Sequence, residues 1–240
     1  MEQKKETKQT KTKVFNVIIL DKSGSIECIR QAAVSGFNET LNGIKKAQEK
    51  FADTQEHFVS LLIFCDCEKK YVFDKVPVGE ARSLTMDDYQ PCCCTPLYDE
   101  MGFTLTSMRN HVKNIEDAVV VVTIITDGLE NASKEYTGAA VKQLVEELKG
   151  EGWTFTYMGA NQDSVEVAFN LSIRNARNFE YSAQGTMAGM AKDTSTRMNF
   201  FSRLAHFKED VDCCEMPTRE RRVCYTTMAD EAFDEEESKS

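Results

Sequence analysis

Apolar positions along the chain gather into short runs, and two of them stop at an aspartate. Residues 14–20 (VFNVIIL) are mostly β-branched or aromatic and end at Asp21. Residues 118–125 (AVVVVTII) are the most hydrophobic stretch and end in Thr126-Asp127-Gly128. Runs of this length and composition suit central strands buried on both faces, as in a parallel sheet. Residues 57–64 and 153–158 predict further strands, and residues 70–73 and 178–181 shorter ones. Between them the period changes. Residues 26–51 place Ile29, Ala33, Phe37, Leu41 and Ile44 at helical spacing. Residues 96–111 predict a helix with Pro96 in its first turn, and residues 138–149 one closed by Gly150-Glu151-Gly152. Residues 164–170, with Asp163 as cap, and 186–206 complete the helices.

Alternating strands and helices predict a doubly wound α/β domain with helices on both faces of a mostly parallel, six-stranded, Rossmann-like sheet. The connection at residues 66–69 is too short for a crossover helix, so strands two and three form an antiparallel hairpin. The expected order is 3-2-1-4-5-6. Strands one and four are then neighbours whose crossovers leave in opposite directions, which is where such sheets bind ligands. That topology makes neighbours of Asp21 and Asp127.

After the first strand, Asp21, Ser23 and Ser25 alternate around Gly24. Thr95 lies in a loop just before a helix, and Asp127 ends the fourth strand. Hard oxygen donors at strand ends fit Mg²⁺ or Mn²⁺ better than a soft metal. Asp21-Lys22-Ser23-Gly24-Ser25, then Thr95, then Asp127 resembles the metal-ion-dependent adhesion site of von Willebrand factor A domains. Thr95-Pro96-Leu97-Tyr98-Asp99, Thr126-Asp127-Gly128 and the stretch from Met158 to Asp163 resemble bacterial members, and the likeness covers about residues 13–207. It implies Ser23 and Ser25 as direct hydroxyl ligands, Thr95 as a direct or water-bridged one, and Asp21 and Asp127 as carboxylates that bind directly or hold coordinated water. The remaining position is left for a carboxylate of a partner protein. Bacterial members usually have glycines just before the threonine; this chain has Cys92-Cys93-Cys94, residues that resist backbone angles glycine takes freely.

Three segments are expected: a mobile stretch at 1–12, one domain at 13–207, and a flexible charged tail at 208–240 with an acidic end. That acidic run, with Phe233 as its one apolar anchor, is a candidate competitor for the metal position. A formal net charge of −10 repels nucleic acid and anionic membrane on average. No apolar run is long enough to span a bilayer, and no signal-peptide core follows the first residues, so the chain reads as cytoplasmic. Its nine cysteines are then expected to be reduced. They show no C-x-x-C spacing and read as small apolar residues and surface thiols; a soft-metal or redox site at Cys92–Cys94 is the alternative. Asn161 and Asp163 read as turn and cap, and Asp87 and Asp88 as solvated loop charges near Thr95. His57, His111 and His206 have no catalytic spacing.

These features point to a non-enzymatic, metal-dependent protein-binding module. A Mg²⁺-dependent phosphohydrolase is the alternative, but aspartate-nucleophile phosphatases want a second acid two residues on, where Ser23 stands. Neither G-x-x-x-x-G-K-[ST] nor G-x-S-x-G occurs. A scaffold that leaves the site unused is the third reading.

Overall fold

The computed structural model describes residues 11–127, 129–160, 163–210 and 216–239. Its six strands are β1 (Thr12–Asp21), β2 (Gln55–Cys65), β3 (Glu68–Pro77), β4 (Ala118–Thr126), β5 (Thr154–Gly159) and β6 (Asn175–Asn178). They form one sheet in the order β3-β2-β1-β4-β5-β6. β3 is antiparallel to β2 and every other pair is parallel, the topology that the sequence predicts.

Alternation along β1 divides the core between two faces. Val17 and Ile19 pack with Leu97, Met101 and Leu105 of α2 (Leu97–Val112) and with Val141 and Val145 of α3 (Gly138–Gly150). Ile18 and Leu20 pack the other way, with Phe37 and Leu41 of α1 (Arg30–Lys50). The long helix α5 (Ala183–Asp210) lies along α1. Gly36 and Gly43 permit that approach, because a Cβ at either would collide with Met190 or Thr194 of α5. A short helix, α4 (Asp163–Asn170), leads to β6. Among the described residues, no helix is long and apolar enough to cross a membrane.

Three expectations need correction. The first strand begins earlier than expected: Thr12 is buried within β1, where its hydroxyl donates to Asp117 at 2.8 Å. Residues 1–10 lie outside the described residues. The last strand is Asn175–Asn178, just upstream of 178–181. It is polar because Arg177 is buried in hydrogen bonds to Thr196 at 2.7 Å and Glu237 at 2.8 Å, so no apolar pattern marks it.

The largest correction concerns the charged tail, which folds from Thr218 to Ser238 as helix α6. Tyr225, Ala229 and Ala232 join Val14, Val119, Phe201 and Leu204 in a third core cluster, and Phe233 is buried as well. A buried anion fixes the helix. Asp117 pairs with Lys208 at 2.6 Å and accepts from the Tyr225 hydroxyl at 2.9 Å. The acidic side chains are engaged too: Glu231 with Arg203 at 2.6 Å, Asp234 with Arg174 at 2.8 Å and Glu237 with Lys192 at 3.0 Å. Val14 and Val119 lie towards the opposite ends of β1 and β4 from Asp21 and Thr126. A free acidic run competing for the metal position is therefore overturned.

Candidate metal centre

The register places the site. Leu20 pairs with Ile125, so Asp21 and Thr126 leave the sheet side by side. Asp21 is fully buried. Its Oδ1 accepts from the Ser23 amide at 2.7 Å, and its Oδ2 accepts from Thr126 Oγ1 at 2.7 Å and Ser23 Oγ at 3.1 Å. Ser23 Oγ lies 3.1 Å from Ser25 Oγ, and Ser25 Oγ donates to Asp127 Oδ1 at 2.9 Å. One chain of oxygens thus runs Thr126–Asp21–Ser23–Ser25–Asp127, joining the carboxyl ends of β1 and β4.

Thr95 reaches this group through its loop. The Gly24 amide donates to the Cys93 carbonyl at 3.1 Å, and the Cys92 amide to the Lys22 carbonyl at 2.9 Å. Thr95 itself is buried and held by Asn131: its amide donates to Asn131 Oδ1 at 2.8 Å and its carbonyl accepts from the Asn131 amide at 3.1 Å. The structure therefore links Asp21, Ser23, Ser25 and Asp127 by direct hydrogen bonds, and sets the threonine loop against them through its backbone.

Two residues before Thr95, Cys93 adopts φ 67°. The left-handed conformation costs an L-residue roughly 1–2 kcal/mol, and two tethers hold it: the Gly24 hydrogen bond and a disulfide to Cys67. That disulfide corrects the expectation that every cysteine is a free thiol. The turn after β2 and the threonine loop lie together, far apart as they are in sequence. Cys28, Cys65, Cys92, Cys94 and Cys224 are free.

Sequence reasoning missed four supporting residues. Tyr89, fully buried, donates its hydroxyl to the Asp21 carbonyl, and Tyr181 donates to the Ser25 carbonyl. Thr126 and Asn131 complete the set. Thr126 adjoins a recognised aspartate; the others carry no local motif. Asp88 is no solvated loop charge, because Arg82 binds it at 2.6 and 2.8 Å and holds its carboxyl well below the ordinary range. Gly128 and Asn161 lie outside the described residues, as does the side chain of Asp163.

No family model matches the sequence, and no curated protein does. Solved structures match its fold. Proximal thread matrix protein 1 from the mussel byssus superposes with a TM-score of 0.53 at 13% identity, over 78% of this chain and 46% of that one. The pilus adhesin SpaC from Lactobacillus rhamnosus GG gives 0.57 at 15%, over 81% and 31%. The manganese-loaded TRAP protein of Plasmodium vivax gives 0.51 at 15%, over 75% and 72%. This chain has the von Willebrand factor A fold. It spans under half the length of the mussel protein and about a third of the adhesin. The likeness extends over a mussel, a Lactobacillus and a Plasmodium, and does not single out bacterial members. At these identities it is one of fold, and the site rests on its own geometry.

The electrostatics of the site suit a cation. Burial pushes the Asp21 carboxyl up to about 6 against the hydrogen bonds from Thr126 and Ser23, and the charge of Asp127 adds to the rise. Burial raises Asp127 as well, against hydrogen bonds from Ser25 and Tyr181. Lys22, the cation within the loop, is buried and bonded to Glu68. Two crowded carboxylates with hydroxyl oxygens between them form an all-oxygen donor set, and it fits a hard divalent ion.

Proposed function

We propose that this domain is a protein-binding module whose metal-ion-dependent adhesion site consists of Asp21, Ser23, Ser25, Thr95 and Asp127. The observation that carries the proposal is the continuous oxygen chain from Thr126 to Asp127 at the switch point of the sheet. Mg²⁺ or Mn²⁺ is the ion such a donor set selects. Bound there, the ion offers a Lewis-acidic position to a carboxylate of a partner protein. Ser23 and Ser25 supply neutral oxygens, so the ion keeps enough charge to attract a further anion. Asp21, oriented by Thr126 and the Ser23 amide, and Asp127, oriented by Ser25, supply the charge that retains the ion. Asn131 fixes the backbone of Thr95 at the rim.

Two structural neighbours agree with this kind of role: the mussel protein has been seen with zinc in its adhesion-site motif, and TRAP with manganese. Nothing in the proposed role needs a nucleophile or general base, so the chain is read as a binder and not an enzyme.

The test is affinity capture from the native cell extract, in Mg²⁺ and in chelator, with wild type and Asp21→Asn. The reading expects partners that are captured in Mg²⁺ and lost both with chelator and with the variant. A peptide carrying the partner's acidic residue should bind, and its amide counterpart should not. Capture of the same proteins under all conditions would contradict the proposal.

A further inference from the structure

Beside the oxygen site lies a second cluster of ligating atoms, made of sulfur. Cys65 ends β2 and Cys67 stands in the turn after it; Cys92 and Cys93 come from the threonine loop. The two segments are fixed to one another through Asp66 and Cys94. Asp66 N donates to the Cys94 carbonyl at 3.0 Å, and Cys94 N donates to Asp66 Oδ1 at 2.8 Å. Cys65 Sγ is 3.5 Å from Cys92 Sγ, and the sulfurs of Cys65, Cys92 and Cys93 all lie within 4.8 Å of one another. Cys67 is bonded to Cys93.

We infer that Cys65, Cys67, Cys92 and Cys93 form a metal site for a soft divalent ion, Zn²⁺ above all, that opens when the Cys67–Cys93 disulfide is reduced. Four thiolates around zinc, each at about 2.3 Å, stand about 3.8 Å apart in a tetrahedron. The Cys65–Cys92 separation is close to that value already. Adjacent cysteines on an extended chain point apart, which argues against Cys92 and Cys93 sharing an ion. The left-handed turn at Cys93 removes the objection, and both sulfurs fall in one group. Cys65 is buried and Cys92 half-buried, whereas Cys67 and Cys93 face solvent. A surface cavity of about 510 Å³, lined in part by Cys65, Cys67 and Cys94, gives an ion access. Asp66 faces the sulfurs of Cys67 and Cys93, but its Oδ1 is taken by the Cys94 amide, so it serves as an orienting neighbour.

The chemistry balances with an external thiol as reductant. Two reductant thiols give up two electrons and two protons and become a disulfide; the Cys67–Cys93 bond breaks and two protein thiols form. Zn²⁺ then displaces one proton from each of four thiols. Reoxidation by a disulfide of the same class closes the bond, removes two of the four ligands and releases the ion. Mg²⁺ does not compete, since thiolates select soft cations. The inference does not depend on the oxygen site being used.

Co²⁺ is the probe. The full chain is reduced with a phosphine, stripped of metal and titrated. The expected result is one thiolate-bound Co²⁺ per chain, with a thiolate-to-cobalt charge-transfer band and intense tetrahedral bands, displaced by Zn²⁺. Protein left oxidised should give no such spectrum. Cys92→Ser and Cys65→Ser should each weaken Co²⁺ binding at least about tenfold, whereas Cys94→Ser should match wild type. Asp21→Asn should keep the cobalt spectrum while losing any response to Mg²⁺, which separates this site from the other. Circular dichroism shows whether each variant is folded; Cys92, the less buried position, decides if Cys65→Ser is not. The inference is overturned if the reduced, folded protein lacks the charge-transfer band. It is equally overturned if the spectrum is indifferent to reduction, or if Cys92→Ser binds Co²⁺ like wild type.

Discussion

Single residues at the site work against the stability of the metal-free domain. Asp21 and Asp127 are both raised, by burial first and at Asp21 also by the neighbouring charge. Asp127→Asn removes one carboxylate and keeps an oxygen for Ser25 to donate to. It should raise the melting temperature without metal slightly and shrink the rise that metal brings by mass action; an unchanged metal response would place Asp127 outside the site. A different residue is expected to contribute to acid lability. His57 is buried, its ring 4.6 Å from that of Phe201, with Nε2 against Gln55 Oε1 at 3.0 Å. Burial, with Arg197 adding to it, lowers its pKa from 6.5 to about 3. Because the folded value is depressed, the unfolded chain takes the proton first. The contribution is whole above pH 6.5 and is lost as pH falls towards 3. Between pH 7 and pH 4 wild type should lose of order 3 kcal/mol more than His57→Leu, measured by urea unfolding. Equal losses would show that His57 is not the group responsible.

Among the elements, α6 is held by a buried polar anchor. Asp117 binds Lys208, Tyr225 and Thr12, with Arg221 3.9 Å away. Asp117→Ala strands a buried cation, which costs about 3–5 kcal/mol. Thermal unfolding should fall by roughly 6–15 °C for a chain of this size, and limited proteolysis should release α6 before the rest. A change of a degree or less would mean that the anchor does not hold. Ending the chain after Ala229 removes buried Ala232 and Phe233. It should destabilise the domain and leave acidic-peptide binding unchanged, whereas tighter binding would revive competition by the acidic run. Legibility differed between elements for physical reasons. β1 and β4 are buried on both faces, so their apolar runs announced them together with the aspartates that they deliver. In α6 the buried positions Tyr225, Ala229, Ala232 and Phe233 are scattered among charges, and the residue that fixes them, Asp117, lies in the turn just before β4. β6 is polar because its partners are. The sulfur cluster was hidden because Cys65 and Cys67 come from one segment and Cys92 and Cys93 from another.

At the scale of the whole molecule, the sheet order turns distant sequence into one oxygen-lined cradle. β1 and β4 run parallel side by side, so their terminal aspartates share the loop that Ser23 and Ser25 complete. α6 and its ion pairs occupy another part of the surface, away from that cradle. The decisive quantity is whether the cradle holds a divalent ion in solution. Calorimetric titration of the metal-stripped chain with Mg²⁺ and Mn²⁺, beside Asp21→Asn of matched folded content, measures it directly. A single weak site in wild type, absent in the variant, is the expected result. No heat of binding at millimolar ion in a folded wild-type sample, or the same isotherm for both proteins, would contradict it.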